Sequence, residues 1–164
     1  MKKCIVIMLC AILGVGGVSE YSALQKKQVS EDFVNMINPF TDSDSLEEAE
    51  LLAGFSVVLP EKIEDSNTRI YRSMGQTLLE VIYEDGEENE IARVRKGIGE
   101  ADISGDYNEY SLEWKVSVNG TLVQMKGENN RFMLAVWTKN GYSYSVSTNG
   151  LSLKKMKELV GGIE

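Results

Sequence analysis

The segment from Glu100 to Glu113 carries oxygen-bearing side chains at the spacing of a calcium loop. Such loops take ligands from alternate positions and end on a bidentate glutamate at position twelve. The loop departs from this motif at position six, where a sharp turn requires glycine and the chain has Tyr107. The alternative is a connection whose Asp and Asn side chains bond their own backbone. Calcium is the one cofactor that the pattern suggests, and its candidate ligands are Asp102, Ser104, Asp106, Asn108 and Glu113.

A second group of candidate residues is apolar and lies near the end of the chain. Read with a period of two, the stretch Arg131–Lys139 is apolar on both faces. One face could pack on helices while the other lines a groove for an apolar ligand. We predict ligand contacts from Met133, Ala135 and Trp137, opposite a face that includes Phe132. The alternative is a central strand that is buried on both sides.

The composition removes most catalytic chemistry. The chain has no histidine, and its two cysteines, Cys4 and Cys10, lie in the N-terminal apolar segment. Histidine-based triads, the usual histidine general base and the common zinc sites are therefore excluded. A hydrolase would depend on carboxylates such as Glu88 and Glu90, which are better interpreted as a solvated turn. We predict a non-enzymatic protein without catalytic residues, and a carboxylate-based hydrolase is the alternative.

The first nineteen residues have the pattern of a secretory signal peptide. A basic start precedes an uncharged run from Ile5 to Val18, and Gly17 and Ser19 suit cleavage before Glu20. The run is shorter than the roughly 20 apolar residues of a spanning helix, so we expect no integral span in the mature chain. An uncleaved N-terminal anchor is the alternative. A mature chain without cysteine favours a bacterial protein, secreted or in the cell envelope.

The charge of the chain restricts its partners. The net charge is −8, and loss of Lys2 and Lys3 with the signal segment lowers it by two, to −10. A chain with this much negative charge repels phosphate backbones and anionic lipid. The charge therefore argues against nucleic-acid binding and against docking on anionic membranes. The expected partner is a protein, a peptide or an apolar molecule. A calcium-stabilised secreted domain is a further alternative.

The organisation of the chain follows from hydrophobic periodicity. After the signal peptide at 1–19, residues 20–39 are a polar tether or a short helix, and residues 40–164 form a single domain. In that domain Ser45 caps a helix over 46–53, which Gly54 ends, and residues 55–59 read as a strand.

From residue 68 onward, apolar and polar residues alternate with a period of two. This alternation predicts about seven to eight strands in the domain. The dipeptides at 119–120 and 140–141 are hairpin turns, and Ser152 caps a last helix. Because the strands follow one another directly, we expect an α+β fold: an antiparallel meander sheet that could be strongly curved. The N-terminal and C-terminal helices should pack on one face of it.

Several short motifs follow one another along the domain: Ser45–Ala49, Ala53–Phe55, Leu59-Pro60, Trp137-Thr138, Gly141–Tyr144 and Gly150–Ser152. In this order they resemble the extracytoplasmic bacterial family called domain of unknown function 4367. The resemblance spans roughly residues 40–163 and implies an exported or envelope protein. It further implies a curved sheet of the lipoprotein-carrier kind, whose concave face binds lipid or peptide. The family has no agreed catalytic residues, and this chain lacks a lipidation motif.

Overall fold

A computed structural model of the chain describes residues 38–60 and 63–164. The signal peptide predicted over 1–19 lies outside these ranges, as does nearly all of the predicted tether at 20–39. Residues Pro39–Glu164 form one compact unit. Within the described ranges no helix has the length and apolar character needed to cross a membrane.

The described chain is mostly sheet, with two short helices near its two ends. All neighbouring strands are antiparallel, and the eight-stranded sheet is open. The elements in chain order are β1 (Thr41–Ser43), α1 (Leu46–Ala53), β2 (Thr68–Met74), β3 (Leu78–Glu84), β4 (Glu90–Ile98), β5 (Leu112–Val118), β6 (Thr121–Glu128), β7 (Arg131–Lys139), β8 (Tyr142–Leu151) and α2 (Leu153–Gly161).

The strand order corrects the expectation of one continuous meander. The order is β1-β2-β3-β4-β8-β7-β6-β5, so two four-stranded meanders meet where β4 pairs with β8. The connection from β4 to β5, residues 99–111, therefore runs from the middle of the sheet to its far edge. Hairpin signals predict local pairs well, but they contain no information on which outer strands of two meanders meet.

The helix ends agree with the capping signals in the sequence. Ser45 Oγ accepts a hydrogen bond from the Glu48 N–H at 3.2 Å, and Gly54 ends α1 with φ of 80°. Ser152 Oγ likewise accepts from the Lys155 N–H at 3.4 Å at the start of α2.

One strand prediction near the N-terminus of the domain is wrong, and one short strand there was not predicted. Residues Phe55–Leu59 form no strand, although the N–H and C=O of Val58 both bond to Glu164, at 2.8 and 3.1 Å. The segment Thr41–Ser43, for which no strand was predicted, pairs with β2. Tertiary pairing decides such short segments, because their local propensity is weak.

The hydrophobic core combines residues of both helices with residues of six strands. Its fully buried members include Ala49 of α1, Met156 of α2 and Val81, Met125 and Val146 of the sheet.

A row of polar residues crosses β2, β3, β4 and β8, since Arg72 pairs with Glu80, Glu80 with Arg95 and Arg95 with Ser145. Residues directly opposite in an antiparallel ladder share a face, so these side chains lie on one side of the sheet. Arg95 Nη1 also donates to the carbonyls of Ile103 and Ser104, at 3.0 and 2.6 Å. The 99–111 connection is therefore attached to this polar face.

Candidate functional site

The pairing of β7 with β8 is interrupted near the C-terminal end of β8. Leu134 pairs with Ser147, and Phe132 pairs with Leu151. Three β8 residues, Thr148–Gly150, therefore stand opposite Met133 alone, which defines a large bulge. Gly150 has a φ of 100°, a conformation that costs glycine little and other residues more.

Side chains hold this bulge from three directions. Thr148 Oγ1 donates to the Phe132 carbonyl and accepts from the Gly150 N–H, both at 3.2 Å. Arg131 Nε and Nη2 donate to the Gly150 carbonyl at 3.1 and 2.6 Å. Asn149 Nδ2 donates to the Glu90 carbonyl at 3.1 Å. The backbone polar groups that the bulge takes out of the ladder are thus partly satisfied by neighbouring side chains.

An open cavity of about 500 Å³ lies between this bulge, helix α2 and the segment before β2. We call it the bulge cavity. Its volume lies within the usual range for small-ligand sites, about 300–1,000 Å³. The lining combines apolar and charged side chains with the bulge backbone. The apolar lining residues are Pro60, Ile63, Ile91, Leu151 and Leu159, and the charged ones are Glu64, Asp65, Arg131, Lys155 and Glu158.

Two of the charged side chains around the bulge cavity, Glu64 and Lys155, pair with each other. Lys155 Nζ donates to Glu64 Oε2. This hydrogen bond and the Lys155 charge hold the pKa of the Glu64 carboxyl below its usual value, and the same contact raises the pKa of Lys155. A general acid of a glycosidase needs a raised pKa, so Glu64 does not have that property. The pair instead provides a fixed polar rim beside the apolar lining.

The structure brings some of the predicted site residues together on another side of the bulge. Asp106, Asn108 and Met133 line a cavity of about 240 Å³ that also includes Thr148. Asp102 lies apart from them, in a cavity of about 310 Å³ that Trp137 also lines.

The predicted calcium ligands bond mainly to their own loop. Asp102 Oδ1 accepts from the Ser104 N–H, Ser104 Oγ from the Asp106 N–H and Asp106 Oδ1 from the Asn108 N–H, at 2.8, 3.2 and 2.8 Å. Glu113 Oε2 accepts a hydrogen bond from Gln124 Nε2 at 3.3 Å. This succession of side-chain turns is the alternative that the sequence also allowed.

Asp106 is the most constrained of these carboxylates. The Tyr110 hydroxyl donates to its Oδ2 at 2.5 Å. Burial raises the pKa of Asp106, but the bonds from Tyr110 and Asn108 outweigh it and leave the pKa below its usual value. In residues 38–60 and 63–164 no three Asp or Glu side chains gather in a way that could hold a metal ion. Calcium binding stays a prediction, without support from this geometry.

Two residues of the predicted apolar face are buried. Ala135 and Trp137 are 0 % and 6 % exposed and belong to the core, where Trp137 stacks on Tyr144 at 5.1 Å. Phe132 belongs to the same core. The irregularity at Met133 changes the alternation, so Phe132 lies in the same core as Ala135 and not on the opposite face. Ligand contact through Met133, Ala135 and Trp137 stays a prediction.

Two groups of residues were missed by sequence reasoning. Of the bulge residues, Thr148 read as the end of a strand, and the turn signal Asn149-Gly150 after it indicates a departure from regular pairing. Glu80 read as one polar residue in an apolar strand. It is 1 % exposed, and Arg95 Nε and Nη2 both approach its Oε2 at 2.7 Å.

With the fold and the bulge cavity described, comparison with known proteins adds no relative: no protein-family model, curated protein or solved structure matches this chain.

Proposed function

We propose that this protein is a non-enzymatic binding domain, exported to the bacterial cell envelope or beyond it. Its bulge cavity receives an apolar group of a peptide or of another molecule. The observation that carries this proposal is the combination, in one open cavity of about 500 Å³, of five apolar side chains and a paired polar rim. Sites for small molecules commonly have this composition.

The rim supports recognition of a ligand with both polar and apolar parts. Arg131 is engaged with the bulge carbonyl and Lys155 with Glu64, so their positions are set before a ligand arrives. Preorganised polar groups lower the entropic cost of binding. The depressed pKa of Glu64 favours binding over acid catalysis at this site.

Two parts of this proposal, export from the cell and a relation to a known family, are supported by the sequence alone. The pattern of residues 1–19 supports a signal peptide, and the motifs between 40 and 163 support a relation to the domain of unknown function 4367 family. We also propose that α1 and α2 pack on the same face of the sheet, because residues of both helices belong to one hydrophobic core.

Methyl NMR of isoleucine-labelled protein tests the cavity. The probes are N-acetyl-leucinamide for the peptide class and hexanol for the apolar class. We expect saturable shifts at the methyl groups of Ile63 and Ile91, which line the cavity, and none at the exposed Ile98, which does not.

A cavity-filling variant separates specific binding from surface adsorption. In Ile63→Trp we expect the probe-induced shifts at Ile91 to disappear while the melting temperature is kept. The matched variant Val58→Trp places the same side chain at an exposed position outside the cavity and should leave the shifts unchanged. Equal shifts at Ile98, or unchanged shifts in Ile63→Trp, would show that the bulge cavity is not the binding site.

A further inference from the structure

Strand β5 forms one edge of the sheet, and nothing in residues 38–60 and 63–164 pairs with its outer side. It pairs with β6 through all seven of its residues without a register shift, and it contains no proline. Among the described residues, no loop or helix backbone hydrogen-bonds to it. The opposite edge, β1, has only three residues. A long regular edge strand readily pairs with another strand unless it is blocked, so β5 is the edge available for pairing.

The turn after β5 determines which of its backbone groups face outward. Asn119 and Gly120 have φ of 48° and 81°, as a two-residue type I′ turn requires, and Val118 pairs with Thr121. The pair that flanks such a turn is hydrogen-bonded, and bonded and non-bonded pairs then alternate along the ladder. The N–H and C=O groups of residues 113, 115 and 117 therefore point away from β6.

The side chains of β5 are complementary to a second copy of the same strand. In antiparallel pairing centred on Trp114, Glu113 lies opposite Lys115 of the second copy, and symmetry repeats this pair. Leu112 then lies opposite Val116 of the second copy. Centring on Lys115 would instead place two lysines opposite each other, and centring on Glu113 two glutamates. Because like charges directly opposite are destabilising, charge selects the register centred on Trp114.

The isolated chain leaves these side chains free for such pairing. Trp114 is 45 % exposed. Its ring meets the Phe132 ring edge to face, with 5.4 Å between the ring centroids. No ion pair joins Lys115 to any part of the chain that the structure describes, and Glu113 accepts only the weak bond from Gln124. In the centred register the two Trp114 side chains form a non-hydrogen-bonded pair, where side chains approach most closely, and they cover each other.

We propose that β5 is a homodimer interface, in which the strand pairs antiparallel with β5 of a second copy about Trp114. The two sheets then continue across the interface. Two Glu113–Lys115 pairs fix the register, and the paired tryptophans cover the apolar edge.

Sedimentation velocity on the exported form, beginning at Glu20, tests the dimer. We expect a reversible monomer–dimer equilibrium that moves toward the dimer as concentration rises. Glu113→Lys and Lys115→Glu each place two like-charge pairs in the interface, so each variant alone should be monomeric at concentrations where the parent is dimeric. The double variant restores both pairs with reversed polarity and should again dimerise.

Mixing the two single variants gives the sharpest result. A Glu113→Lys chain and a Lys115→Glu chain complement each other at both pairs, so the equimolar mixture should form the heterodimer. Rescue of this kind shows that both single variants are folded. Lys157→Glu, an exposed change of equal charge on α2, should leave the dimer intact.

The proposal does not depend on the charge variants alone. Trp114→Thr keeps a strand-forming residue but removes the aromatic cover, and it should weaken dimerisation by at least tenfold with an unchanged circular dichroism spectrum. A parent protein that stays monomeric at every concentration would overturn the proposal. So would dimeric single variants, or a mixture of the two variants that stays monomeric.

Discussion

Glu80 shows how one buried charge organises several strands. Arg95 bonds its carboxylate, Arg93 Nη1 lies 3.5 Å from Oε2, and Arg72 Nη1 lies 3.7 Å from Oε1. Arg72 continues the row to Asp42, with Nε 2.9 Å from the carboxylate oxygen. The carboxylate is therefore the common partner of cations on both neighbouring strands, and its removal leaves them without their shared counter-charge.

We expect Glu80→Gln to lower the free energy of unfolding by about 3–5 kcal/mol, because removing one partner of a buried ion pair leaves the others uncompensated. Urea unfolding at neutral pH measures this change. Glu90→Gln is the matched control, since Glu90 pairs with Arg93 at an exposed position. Its effect should stay within about 1 kcal/mol. Equal losses in the two variants would show that burial does not govern the cluster.

Tyr83 contributes a pH dependence at the alkaline end. Its side chain is fully buried, and burial raises its pKa from 10.0 to about 12. The neutral hydroxyl is thus favoured in the folded state. Its contribution to stability is complete below pH 10 and is lost as the pH rises from 10 toward 12.

Stability measured by urea unfolding should therefore fall over this window, with about 3 kcal/mol of the loss due to Tyr83. In Tyr83→Phe this part of the slope should be absent. The hydroxyl has no hydrogen-bond partner within the described structure, so the variant should be neutral or stabilising at pH 7. Tyr107→Phe, at a 96 % exposed tyrosine, should leave the alkaline slope unchanged. An unaltered slope in Tyr83→Phe would contradict the assignment.

At the scale of the elements, the hairpin of β6 and β7 depends on a close backbone approach. A Cβ at Gly127 would lie 1.9 Å from the Arg131 carbonyl oxygen, at a register shift between Lys126 and Gly127. This contact is with backbone, so no side-chain rotation relieves it. Arg131 also holds the bulge of β8, and the hairpin and the bulge cavity are therefore linked.

Gly127→Ala should destabilise the protein by at least about 2–3 kcal/mol, as overpacking does when the backbone must move. Differential scanning calorimetry measures the loss. Gly75→Ala is the comparison, because Gly75 has a positive φ of 51° but no atom within 4 Å of the added Cβ. It should cost only about 1–2 kcal/mol, from the left-handed backbone. A smaller loss in Gly127→Ala than in Gly75→Ala would be inconsistent with steric control of the hairpin.

At the scale of the whole molecule, the 99–111 connection is attached to the sheet at Gly99, which bonds Gly141 and Ser143, and again through Arg95. This side chain bonds Glu80 with one part of its guanidinium and two loop carbonyls with another. The side chain of Ile103 also packs near Gly97, where an added Cβ would lie 3.3 Å from it. Beyond Gly99, the middle of this connection is therefore joined to the sheet by one arginine.

We expect Arg95→Met to speed amide hydrogen exchange of Ser104, Asp106 and Asn108 by at least tenfold, because the loop loses its attachment to the sheet. Mass spectrometry of exchanged peptides measures the rates. The turn at Asp85–Asn89, which bonds within itself, is the internal reference and should not change. Protection that persists at Asp106 would mean that the loop's own side-chain turns hold it in place.

Much of the local structure was predictable from residue patterns. Ser45 and Gly54 bracket α1 because capping geometry depends on neighbouring residues, and Asn119-Gly120 predicts its hairpin because few dipeptides accept two positive φ angles. The bulge residues were less accessible. Thr148 bonds the Phe132 carbonyl and Arg131 the Gly150 carbonyl only because β7 and β8 leave their register there. A strict alternation of side chains does not anticipate that.

The sequence by itself determined the chemistry that is absent and the short-range structure: no histidine, an acidic surface, two capped helices and strands joined by tight turns. These properties depend on composition and on residues a few positions apart. The tertiary structure decided that β4 pairs with β8, that Ala135 and Trp137 are buried, and that a cavity opens at the bulge of β8. Each of these features depends on contacts between residues that are far apart in the chain. The energies of such contacts come from shared burial and strand pairing, and no fixed spacing in the sequence corresponds to them.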